Sequence, residues 1–84
     1  MNQENTVVNE KIQKILAEVL QIPVETITDD LTMNDVESWD SLKHMELIVS
    51  LEQFFGKEFA FDEIVAMRSV REIHDVLRKK GVAD

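Results

Sequence analysis

Val8, Ile12, Ile15, Leu16 and Val19 recur at helical spacing with Glu10, Lys11, Gln13, Lys14 and Glu18 between them. That period predicts a first helix from about Thr6 to Leu20. It must stop ahead of Ile22-Pro23, because a residue before proline is pushed out of the helical region. A long connection follows, from Gln21 to Trp39, with apolar residues at Ile22, Ile27, Leu31 and Val36. Their spacing predicts a segment pinned to a core, and loops of this length in small domains are often functional.

A second helix is predicted over Ser41 to Phe55, with Asp40 as its N-cap and Gly56 as its stop. With Ser41 at zero and about 100° per residue, Leu47, Ile48, Leu51 and Phe55 fall in one arc, between about 240° and 340°. That arc is the expected core face, and His44 lies beside it at about 300°. Leu42, Met45 and Val49 fall in another arc, between about 40° and 100°, flanked by Glu46 and Glu52. A small protein cannot easily bury both arcs, so the second predicts an exposed apolar strip edged with carboxylates, the pattern of a contact surface. The structural alternative is that Met45 and Val49 widen the core face.

Residues Lys57-Glu58-Phe59-Ala60-Phe61 have no second alternating run to pair with, so they predict an extended connector inserting Phe59 and Phe61 into the core. Asp62 is placed to cap a short third helix, Glu63 to Met67. Ser69 and Glu72 form a capping box for a fourth, which carries Val70, Ile73 and Leu77. Arg78, Lys79 and Lys80 suit its negative end, and Gly81 stops it. The expected fold is an all-α four-helix bundle with a short third helix and a long first loop. A single domain is expected over 1–84, ordered from about 6 to 80.

At 84 residues the chain buries roughly 60% of its unfolded surface, enough for one helical core and too little for a deep catalytic cleft. Seventeen acidic against nine basic residues leave a net charge of −8. That sign disfavours nucleic acid and anionic membrane, and favours partners with basic docking patches. There is no cysteine, so any thiol chemistry must arrive on a prosthetic group. The polar start Met1-Asn2-Gln3-Glu4-Asn5-Thr6 lacks the pattern of a secretory signal, and no apolar run reaches membrane-span length. A soluble, cytoplasmic monomer is the expectation.

Asp40-Ser41-Leu42, followed by Glu46-Leu47 and Leu51-Glu52, resembles the D-S-L signature of acyl and peptidyl carrier proteins. The resemblance runs from about Val8 to Leu77. It implies a carrier-type bundle in which Ser41 holds a 4′-phosphopantetheine arm taken from coenzyme A by a phosphopantetheinyl transferase. Acyl or aminoacyl cargo would ride on the arm as a thioester, loaded and used by separate enzymes of fatty acid, polyketide or specialised biosynthesis. Asp40, Leu42, Met45, Glu46, Val49, Glu52 and Trp39 are then the candidate partner contacts. The chain departs from the pattern where many carriers have Leu-Gly-x: here Glu37-Ser38-Trp39 precede the signature, which sets a large amphipathic ring beside the arm. Lys43 and His44 place cationic character near the same end.

Ser41, His44 and Asp40 also invite a hydrolase reading, since a serine needs a neighbouring base to become a nucleophile. A small bundle offers no oxyanion hole around a substrate, which argues against it, and no catalytic residue is expected. Asp29, Asp30, Asn34 and Asp35 cluster in the long loop, but the calcium-loop order requires Gly at the sixth position; Asp35 or Asn34 stands there, and no metal site is expected. His74 reads as a packed or half-exposed side chain. The alternative to a carrier is a small acidic helical interaction module without a prosthetic group.

Overall fold

The computed structural model describes residues 6–82, with side chains from residue 10 onward. Its helices are α1 (Thr6–Leu20), α2 (Ser41–Phe55), α3 (Phe61–Ala66) and α4 (Val70–Lys79). Ile12, Leu16 and Leu20 bury the inner stripe of α1, which packs along α2. Leu47, Ile48 and Leu51 answer from α2, and Val70, Ile73, Val76 and Leu77 from α4. Each fully buried aliphatic side chain stabilises the fold by about 1.5–3 kcal/mol relative to an exposed one. Phe55, expected on the same face, is half-buried, while the side chain of Val8 lies outside the described residues.

Three of the helices end in the same way. A left-handed residue reverses the chain, and the next amide donates back to a carbonyl five residues earlier. Gly56 (φ 68°) does this for α2 and Gly81 (φ 91°) for α4, with Lys57 N to Glu52 O at 3.2 Å and Val82 N to Leu77 O at 3.0 Å. At the end of α1 the left-handed residue is Gln21 (φ 59°), and Ile22 N donates to Ala17 O at 3.2 Å. A non-glycine residue there costs roughly 1–2 kcal/mol, which the turn needs in order to aim Ile22-Pro23 across the bundle.

The connection from α1 to α2 holds two 3-10 turns, Val24–Thr26 and Met33–Asp35. Ile27 is buried, and Ile22, Leu31 and Val36 pack partly against the core. Backbone pairing fixes it further: Met33 N donates to Arg68 O at 2.8 Å and Val70 N to Leu31 O at 3.0 Å, a short antiparallel bridge between Thr32 and Ser69. The loop carboxylates serve the same end. Asp35 accepts from the amide and hydroxyl of Thr32, and Asp30 pairs with Arg71 at 2.8 Å.

Two sequence expectations fail around α3. Phe59 is buried but Phe61 is 80% exposed, because the helix begins at Phe61 and turns its side chain away from the inward direction of Phe59. Asp62 consequently sits inside the first turn rather than capping it, and the Glu63 carboxylate instead accepts from the Ala60 amide at 2.8 Å. Ser69 and Glu72 do form the expected box at α4, Glu72 N donating to Ser69 Oγ at 3.1 Å.

Lys80 at the end of α4 reaches Glu63 at 2.9 Å. This ammonium, with the Ala60 amide second, holds the Glu63 carboxyl below its ordinary value near 4.5. A lowered carboxyl contributes stability above its unfolded titration range, and that contribution disappears as pH falls through the folded value. Lys80→Ala is therefore expected to destabilise the protein slightly at neutral pH. The gap to wild type should close as the pH is taken below 4.5, and unfolding curves across that range check it.

Candidate functional site

Helix α2 opens on Asp40, whose carboxylate accepts from Lys43 N at 2.9 Å while its carbonyl accepts from His44 N at 2.8 Å. The amides of Ser41 and Leu42 have no carbonyl behind them in the helix, so they and the helix dipole make this entrance favourable to an anion. Ser41 is exposed, and its hydroxyl bonds no described residue.

Beside it, His44 is 7% exposed and both ring nitrogens are engaged. Trp39 Nε1 lies 3.0 Å from Nδ1, and Nε2 lies 2.9 Å from the carbonyl of Ile64. An indole N–H only donates. Nδ1 must therefore accept, leaving Nε2 to carry the hydrogen that bonds Ile64. An imidazole fixed in that form offers Ser41 no base, and the Asp40 carboxylate is occupied at the cap, so the residues of a hydrolytic triad are present without their geometry. Nor does His44 place charge at the surface: it links the segment before α2, through α2 itself, to α3.

The apolar strip on α2 is open as expected. Leu42, Met45 and Val49 are 69%, 48% and 45% exposed, forming a shallow groove with Val19, Glu46 and Ser50. Asp40 and Glu46 are exposed along it, Glu46 forming a 3.4 Å ion pair with Lys43 that offsets the cation there. Two candidate contacts do not belong to this surface. Trp39 is 2% exposed, its ring 6.2 Å from that of His44, and is part of the core. Glu52 is half-buried and accepts from Phe59 N at 3.0 Å, so its carboxylate faces the link to α3.

A cavity of about 210 Å³ opens next to Ser41 between α2 and α3, lined by Met33, His44, Met45, Phe61, Ile64, Val65 and Arg68. The sequence reading overlooked the α3 wall, where Phe61 and Val65 are both exposed. The signal was available: residues four apart share a helix face, so a helix begun at Phe61 rather than Glu63 aligns Phe61 with Val65. Among the described residues there is no group of three or more His, Cys, Asp or Glu able to hold a metal, and no helix long and apolar enough to cross a membrane.

A hydroxyl at a helix entrance, flanked by an apolar strip with acidic edges, suits a phosphodiester tether. Residues 10–77 match the family described as phosphopantetheine attachment site. The acyl carrier protein of Buchnera aphidicola is 35% identical over 75 residues, covering 89% of this chain and 94% of that protein. Polyketide-8 synthase acyl carrier protein 2 of Streptomyces avermitilis is 30% identical over 71 residues, 84% of this chain and 82% of its own. The solution structure of a holo acyl carrier protein from Geobacter metallireducens superimposes with a TM-score of 0.76 at 33% identity, covering 86% of this chain and 83% of that one. The chain thus belongs to the acyl carrier protein family, as a carrier on a 4′-phosphopantetheine group and not as a catalyst.

Proposed function

We propose that Ser41 receives the 4′-phosphopantetheine arm and that the strip Leu42, Met45 and Val49, with Asp40 and Glu46 at its edges, is where partner enzymes dock. The observation that carries this reading is the open Ser41 hydroxyl at the N-terminal end of α2, immediately beside that strip. Bound there, the arm supplies a terminal thiol that holds an acyl group as a thioester. The chain's own residues present Ser41 rather than activate it, since His44 is engaged elsewhere, so the transferase must supply the base that takes the hydroxyl proton. A phosphodiester on Ser41 would sit at the entrance of α2, whose unpaired amides favour a negative charge.

The chain acts as one carrier domain, a cytoplasmic monomer, loaded by an acyl- or aminoacyl-transferring enzyme and visited in turn by enzymes of fatty acid, polyketide or specialised synthesis. Their docking faces would be basic around an apolar centre, matching the net charge of −8 and the carboxylates flanking the strip. Charges at the edge of such an interface act mainly on association rate and partner choice. Short-lived complexes are what a carrier passing between enzymes requires.

Purified protein incubated with coenzyme A and a broad-specificity phosphopantetheinyl transferase is expected to gain the mass of one arm. Peptide mapping should place it on the fragment containing Ser41. An unchanged intact mass would leave only an acidic interaction module.

A further inference from the structure

The cavity beside Ser41 is apolar on most of its surface, with Met33, Met45, Phe61, Ile64 and Val65 around it. Its polar lining groups are Ser41, His44 and Arg68. Both ring nitrogens of His44 are engaged, so Arg68 is the group there able to take a new partner. Arg68 is exposed; its Nε donates to Val65 O at 3.0 Å, and its guanidinium has no carboxylate within ion-pair distance among the described residues. That is notable in a chain with seventeen acidic residues. Its neighbours in charge are already matched: Arg71 with Asp30, Lys43 with Glu46 and Lys80 with Glu63. Glu72, the acid nearest in sequence, is turned to the Arg68 amide at 3.1 Å and to Ser69.

Building on the carrier reading, we propose that Arg68 is an anion anchor for the loaded arm, pairing with an oxyanion on the group attached to Ser41. Ester chemistry at Ser41 begins on the wall of the cavity that Arg68 also lines, so a charge introduced there opens onto the same space. Beyond the entrance amides of α2, the side chains near that charge leave Arg68 as its partner. The Asp40 carboxylate next to it repels it, and Lys43 is held by Glu46. A guanidinium offers a planar fork of donors matched to two oxygens of a phosphate or carboxylate. Such a bond would tie the turn between α3 and α4 to the entrance of α2 and draw the arm across the apolar cavity rather than out into solvent. The oxyanion has two sources, the phosphodiester itself or an acidic group on the cargo.

Both sources are separable by NMR on intact protein. Wild type, Arg68→Ala and Arg68→Lys are converted with coenzyme A, butyryl-coenzyme A or succinyl-coenzyme A, and complete modification is verified by mass. The Arg68 Nε–H signal of wild type and the phosphorus resonance of all three proteins are then recorded. If the phosphodiester is the partner, the Nε–H signal moves on modification with every cargo. The phosphorus resonance then differs between wild type and Arg68→Ala, with Arg68→Lys in between. If the partner is an acidic cargo group, the Nε–H signal moves in the succinyl form alone. An unmoved Nε–H signal in all three loaded forms, with the arm verified in place, overturns the anchor and leaves Ser41 as attachment site untouched. No arm on wild type removes the carrier reading itself, and the anchor with it.

Discussion

Ser41→Ala is expected to abolish arm attachment completely while leaving the fold intact. Attachment needs an accessible hydroxyl. Ser38 Oγ donates to Leu20 O at 2.8 Å in a half-buried position, and Ser69 Oγ caps α4. Ser50 is half-buried on the far end of the α2 strip. The loss should therefore be all or none on the intact-mass spectrum, with no slower reaction at another serine. Stability should change little, since the Ser41 hydroxyl bonds no described residue and alanine is the best helix former. The Asp40 cap, which does stabilise α2, is untouched, and exposed substitutions away from such features stay within about 0.5 kcal/mol. A mutant with wild-type unfolding behaviour and one arm's mass would move the tether to another hydroxyl.

The parts of this molecule legible in the sequence are those set by neighbours along the chain. The bounds of α1, the Asp40 cap, the Gly56 and Gly81 stops and the Ser69–Glu72 box follow from local chemistry, and the two arcs of α2 divide into buried and open as the helical period requires. Non-local contacts are what it does not spell out. The bridge that ties Thr32 to Ser69 is made by backbone groups, which every residue possesses, so no side chain announces it. Trp39 illustrates the harder case. An amphipathic ring two residues before an exposed serine reads as a contact surface, and its burial becomes intelligible only once His44, five residues on, supplies a buried acceptor for its N–H. Glu52 fails as a contact for a related reason: its partner, the Phe59 amide, lies beyond the helix in a connector whose path is set by the core.

That buried acceptor leads to the largest stability effect expected of a single polar residue. His44→Ala removes the partner of Trp39 Nε1–H, which is enclosed, and one of two donors to the Ile64 carbonyl, which keeps the Met67 amide at 3.3 Å. An unsatisfied buried donor or acceptor costs about 1–3 kcal/mol, and the space vacated by the ring adds lost packing. The Met67 amide keeps Ile64 O satisfied, but the buried indole has no second acceptor. A net loss of about 3 kcal/mol is expected, a large share of the roughly 5 kcal/mol typical at the lower end for small domains. With a urea dependence of about 1 kcal/mol per molar, the midpoint should fall by about 3 M. His44→Gln, whose amide both accepts and donates, should recover part of it. Because the lost bond to Ile64 O is a tie to α3, hydrogen exchange in residues 61–66 should accelerate more than in α1. Equal midpoints for wild type and His44→Ala would mean that the indole finds another partner at no cost, and that the Trp39–His44–Ile64 chain does not hold α3 against α2.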